Sequence, residues 1–62
     1  MNFKENVLKI MNDKKISKEY IYTKLNISRQ GFDALLNSKD PKVSTIIKLS
    51  KILECEPAEL IK

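Results

Sequence analysis

Sixty-two residues, 12 of them Lys or Arg and 8 of them Asp or Glu, carry a formal charge of +4, and a chain of this length makes one small domain with a thin core, residues 1–62. With no His, no Trp and a single Cys, an internal disulfide and a Cys-based zinc site are excluded, and the commonest general base and metal ligand is missing. Leu, Ile, Val and Phe supply 19 residues, enough to argue against disorder, while the longest aliphatic runs, such as Ile46-Ile47, fall far short of the ~20 residues of a membrane span. The expectation is a non-enzyme in a reducing, cytoplasmic compartment, with no metal, no cofactor, no small-molecule ligand and no membrane.

Gly and Pro total three, so little punctuates the chain, and the apolar spacing predicts five helical segments. The first opens at Asn2, with Glu5 three residues on as a variant capping box, and continues through Phe3, Val7, Ile10 and Met11 on one face. Asn12-Asp13-Lys14-Lys15 ends it. The second starts at Ser17 as N-cap, with Ile16 and Ile21 as a hydrophobic staple, Leu25 extending the stripe and Asn26 suited to a left-handed end. The third repeats that grammar: Ser28 caps, Ile27 and Phe32 staple, and Phe32, Leu35 and Leu36 form the inner face. After the loop Asn37–Pro41, the fourth runs from about Ser44 to Leu53 with Ile46, Leu49, Ile52 and Leu53 apolar. The fifth is short, with Pro57 at its first position, Glu59 in its first turn, and Leu60 and Ile61 apolar.

The stretch from Ser17 to Asn37 is the informative one. Two capped helices separated by Asn26-Ile27-Ser28 must cross steeply, as in a helix-turn-helix, with Ile27 expected to point inward between them. The outer face of the second of these helices is then free. At ~100° per residue, Gln30, Asp33, Ala34 and Asn37 lie opposite Phe32, Leu35 and Leu36. Gln pairs bidentately with adenine, Arg29 with guanine or phosphate, Ala touches a thymine methyl, and Asp accepts from cytosine N4 or repels phosphate. Arg29, Gln30, Asp33 and Ala34 are therefore the candidate base-reading residues. Gly31 permits close backbone approach at a cost in helix stability. Charge agrees: residues 1–51 hold eleven basic and five acidic side chains, whereas residues 52–62 hold one Lys against three Glu, a basic body that favours an anionic partner.

The ordered set Ile16-Ser17-Lys18-Glu19, Leu25–Gln30, Phe32, Leu35, Asp40-Pro41, Val43–Ile46, Leu49–Leu53 and Glu56–Leu60 resembles the Cro and lambda-repressor type of helix-turn-helix, the XRE-like domains of phage and bacterial regulators. The resemblance covers nearly the whole chain. It implies an all-α, five-helix lambda-repressor-like DNA-binding domain. It further implies a Cro-like repressor that binds double-stranded operator DNA as a homodimer, with the third helix as reader. Lys18 matches a backbone-contacting position, and Asn37, Ser38 and Lys39 match the loop that grips phosphate or sugar. Ser17 and Ser28 stand at helix N-termini, where amides and the helix dipole favour phosphate. Leu60 and Ile61 match the end of the domain that makes the two-fold contact. Tyr22 replaces the family's usual small residue and is expected to tilt outward or widen the angle between the two helices. Asn26 replaces its turn Gly.

A second reading stays open. The same fold can serve as a protein-interaction module: an antitoxin, an antirepressor or an inhibitor of a phage or host factor. DNA binding needs Lys18, Arg29 and Lys39 on one positive face, whereas an interaction module exposes a large apolar patch. Tyr20 and Tyr22 read as packing residues and Cys55 as a small buried hydrophobe. Glu54, Glu56 and Glu59 read as helix charge and capping.

Overall fold

The computed structural model describes residues 2–62 as four α-helices, α1 Phe3–Lys14, α2 Lys18–Leu25, α3 Arg29–Leu36 and α4 Val43–Leu53, followed by a 3-10 turn at Pro57–Leu60. Among the described residues there is no strand, and no helix is long and apolar enough to cross a membrane. The all-α helix-turn-helix class stands, but the fifth segment is a four-residue turn, not an α-helix. Pro57 opens it and the chain leaves helical geometry at Ile61 (φ −119°). Tight i→i+3 bonds therefore close it, from the Glu59 amide to the Glu56 carbonyl at 2.9 Å and from the Ile61 amide to the Ala58 carbonyl at 3.3 Å.

Serine oxygens set the two starts that matter. Ser17 and Ser28 are extended, and their Oγ atoms accept from the amides of Tyr20 at 3.1 Å and Gly31 at 3.0 Å. Each satisfies an amide that the helix cannot. The capping box expected at Asn2 does not form. Asn2 lies off the extended conformation (φ −114°, ψ 61°), so its amide donates instead to the Glu5 carboxylate at 2.8 Å, side chain to side chain.

Three helices end in the same way. Lys15, Asn26 and Glu54 are left-handed, with φ between 55° and 59°, and each closes a paired hydrogen-bond motif. In α2 the Asn26 amide donates to Thr23 and the Ile27 amide to Tyr22. In α1 the Lys15 and Ile16 amides donate to Asn12 and Met11, and in α4 the Glu54 and Cys55 amides donate to Lys51 and Ser50. This is the Schellman arrangement, which satisfies the last helical carbonyls and turns the chain sharply.

Those turns fold the helices around one core. α1 contributes Phe3, Val7 and Met11, and α2 contributes Ile21. α3 contributes Phe32 and Leu36, α4 contributes Ile46, Leu49 and Leu53, and the 3-10 turn contributes Leu60. Each fully buried side chain of this kind contributes about 1.5–3 kcal/mol of transfer free energy. Ile10, Ile16, Leu25, Leu35, Tyr22 and Cys55 pack half-buried against this cluster. Tyr22 thus joins the edge of the core rather than standing clear of it.

Two expectations are corrected here. Ile27 does not point inward: it is 37% exposed and is no part of the core cluster. As the last residue of the α2 closure it lies over Gly31, whose missing Cβ would sit 3.7 Å from that of Ile27. Leu60 is not a surface residue. It is fully buried in the core of its own chain, while Ile61 is 44% exposed. The first helix holds that end in place. The Asn6 side-chain amide donates to the carbonyls of Leu60 at 3.1 Å and Lys62 at 3.3 Å. At the other end of α1, the Lys14 ammonium donates to the carbonyls of Leu53 at 2.7 Å and Glu54 at 2.6 Å, a cation at the negative end of α4.

Candidate nucleic-acid interface

The geometry of α3 follows from its inner face. Phe32 and Leu36 are buried, so the opposite side is turned out, and Gln30 and Ala34 are exposed there. Arg29 is exposed at the first position of the helix. A residue with an amide and one with a methyl, one turn apart, thus share the outward edge, and a guanidinium stands exposed at the N-terminal end of the helix. These are side chains of the kind that read adenine, thymine and guanine in a major groove.

Asp33 is placed differently from its neighbours. It lies half-buried on the flank of α3 nearest α2, and its carboxylate sits 3.7 Å from the Lys18 ammonium. The structure therefore brings an expected base reader and an expected phosphate contact into one ion pair. Each side chain is 44% exposed, so the pair is screened and holds α2 against α3 only weakly.

The phosphate-contacting candidates have free bonding capacity to different degrees. Ser17 and Ser28 use an oxygen lone pair as caps, which leaves the hydroxyl proton to donate to an anion. Ser38 accepts from the Asp40 amide at 3.3 Å and keeps its proton in the same way. Lys39 is exposed in the loop. Asn37 is more fully engaged. Its Nδ2 donates to the Asp33 carbonyl at 3.0 Å, and its Oδ1 accepts from the Lys4 ammonium at 3.1 Å.

Lys4 was invisible from the sequence. It sits in the first turn of α1, 33 positions from Asn37, and only the packing of α1 beside α3 brings its charge to the end of the outward helix. Lys42 adds a second cation nearby in the chain, exposed at the start of α4. No local pattern marks either residue, since a lone surface Lys usually only solvates.

Cys55 is half-buried, and burial together with the Glu59 carboxylate pushes its thiol above the ordinary value, with Lys14 opposing and Glu56 adding to the rise. A thiol kept neutral in this way packs and does not attack. Among the described residues, no group of three or more His, Cys, Asp or Glu is placed to hold a metal ion.

No curated protein and no solved structure matches the chain. The family model of the Cro/C1-type HTH DNA-binding domain matches residues 6–62, which takes in both capped helices, the turn between them and the closing 3-10 turn. With its serine-capped pair, its left-handed Asn26 and its outward α3, the chain belongs to the Cro/C1-type helix-turn-helix DNA-binding family.

Proposed function

We propose that this domain is a Cro-like repressor that binds a two-fold operator as a homodimer and represses by occupying it. The observation that carries the reading is the split face of α3: Phe32 and Leu36 locked inward, Gln30 and Ala34 exposed outward. Gln30 and Ala34 read bases, Arg29 divides its donors between guanine and phosphate, and Asp33 restrains Lys18 until phosphate competes for it. Lys18, Lys39, Ser38 and the helix starts at Ser17 and Ser28 grip the backbone, which fixes register without reading sequence. Asn37 positions Lys4 and the loop.

For the dimer, Ile61 offers apolar surface where Leu60 does not. Val43 and Ile47, one turn apart on α4 and 71% and 41% exposed, add to the apolar surface outside the core. Two recognition helices about 34 Å apart then meet successive turns of one DNA face.

The test is a competition assay over a randomised half-site with Gln30→Ala, using circular dichroism as the folding control. The variant is expected to lose about 1–3 kcal/mol per half-site on the preferred sequence and little on random DNA. Unchanged sequence preference would remove α3 as the reader. Sedimentation of free and DNA-bound protein tests the dimer, and a strict monomer in both states would refute it.

A further inference from the structure

A second concave surface lies away from α3. Ile16, Tyr20 and Ile52 floor an open groove of about 690 Å³ between the start of α2 and the last turn of α4. Four lysines border it: Lys14, Lys15, Lys24 and Lys51, with Glu54 the single acidic residue on its lining. Two of those lysines are held in place. Lys14 is tied to the carbonyls at the end of α4, and the Lys24 ammonium stands 5.5 Å from the centre of the Tyr20 ring.

Helix geometry separates this groove from the DNA-reading edge. The Lys18–Asp33 pair marks the side of α2 that faces α3. Tyr20 follows two residues later, about 200° round the helix, and Lys24 one turn beyond it on the same side. A ligand in the groove therefore meets α2 on its far flank and leaves Arg29, Gln30 and Ala34 uncovered; of the residues assigned to DNA, only Ser17 also lies on the groove lining.

We propose that this groove docks an acidic, amphipathic segment of a partner protein, whose apolar side chains cover Ile16, Tyr20 and Ile52 while its carboxylates meet the surrounding lysines. Charge complementarity selects the sign of the partner: four cations against one carboxylate repel a basic segment and attract an acidic one. The apolar floor selects its class. A phosphate backbone would set charge over aliphatic surface and lose hydration without apolar gain, whereas an amphipathic peptide buries that surface and matches the rim. A smaller concavity adjoins the groove along α2 beside Tyr20, Thr23 and Lys24 and adds Glu19 at its edge. The inference adds a protein partner to the DNA reading and does not depend on it.

The experiment uses the intact, isotope-labelled chain and a short synthetic peptide. The peptide has Leu at positions i, i+3, i+4 and i+7 and Glu between them, and the control is the same composition scrambled. The expected result is saturable NMR shifts at Ile16, Tyr20, Lys24, Lys51 and Ile52, with the α3 residues unmoved. Lys24→Gln combined with Lys51→Gln is expected to weaken the peptide roughly fivefold and to leave the salt slope of random-duplex binding unchanged. Tyr20→Ala, at a half-exposed position, weakens the peptide without altering the fold. The proposal is overturned if no shift saturates by about 1 mM peptide, or if the scrambled peptide binds equally well. It is also overturned if the double Gln variant flattens the duplex salt slope, which would make the groove part of the phosphate-contacting surface. Duplex affinity of the unaltered chain, measured alongside, reports on DNA binding separately.

Discussion

Replacing Asp33 by Asn isolates what the Lys18–Asp33 pair does. At 3.7 Å two unit charges attract by about 1 kcal/mol in bulk water and by several times that in a protein-like dielectric. Nearly half of each side chain is in solvent, so screening keeps the net contribution under about 1 kcal/mol. Asp33→Asn is thus expected to lower unfolding free energy by less than about 1 kcal/mol in a urea titration. Its effect on DNA has the opposite sign. The substitution removes a negative charge beside the phosphates and releases Lys18. These two gains, each on the order of 0.5–1 kcal/mol, together tighten random-sequence duplex binding about tenfold at low salt. With no carboxylate competing with phosphate for Lys18, the slope of log affinity against log salt steepens by at most about 0.9 per site. Fluorescence anisotropy between about 50 and 200 mM salt measures both. Unchanged or weaker duplex binding with the same slope would refute the assignment of Lys18 to the DNA backbone. Destabilisation above about 3 kcal/mol would instead mean that the pair behaves as a buried structural bridge.

Three further outcomes follow from the packing. Leu60→Ala, at a fully buried position, is expected to destabilise the fold by about 2–5 kcal/mol in chemical denaturation, far more than Ile61→Ala. Glu54→Gly relieves a left-handed residue (φ 55°) and is expected to raise stability by about 0.5–1 kcal/mol by the same assay. The Cys55 thiol, raised by burial and by Glu59, is expected to alkylate more slowly than a free thiol at neutral pH. Because its folded pKa lies above the unfolded one, its contribution is intact below the unfolded value and is lost as pH rises through the folded value, so stability falls on the alkaline side. A thiol titrating at or below the free value would contradict this.

Local chemistry was legible in the sequence and long-range chemistry was not. Ser17, Ser28 and Asn26 announced their roles because caps and left-handed ends are decided within a few residues. Lys15 and Glu54 adopt the same left-handed conformation without the Gly or Asn that usually signals it. The inward face of α3 followed from spacing alone. The pairing of Lys18 with Asp33 did not, since it depends on the depth at which two helices meet. Leu60 looked like a surface residue because it begins a short apolar pair, Leu60-Ile61, after the charged stretch around Glu54, Glu56 and Glu59. Only the space left between α1 and α4 makes it core. Ile27 misled for the complementary reason: an aliphatic residue in a tight turn is drawn inward by pattern, but the left-handed Asn26 and the bond from the Ile27 amide to the Tyr22 carbonyl leave it beside Gly31 on the outside.

The bonds from Asn6 to the carbonyls of Leu60 and Lys62 also set an order in time. Fifty-four positions separate Asn6 from Leu60, although each helix closes through neighbours only. Loop-closure entropy rises by only about 0.6 kcal/mol per doubling of length, so bringing such distant segments together is thermodynamically mild. On a ribosome, however, the chain emerges at roughly 5–20 residues per second. The inner faces of α1 and α4 therefore wait, uncovered, for the segment that seals them. Until residue 60 arrives, α3 has its cap but no completed core behind Phe32. Competence to hold DNA should then appear in one step once residue 60 is free of the ribosome, and a nascent chain arrested before that point should neither bind DNA nor resist a protease.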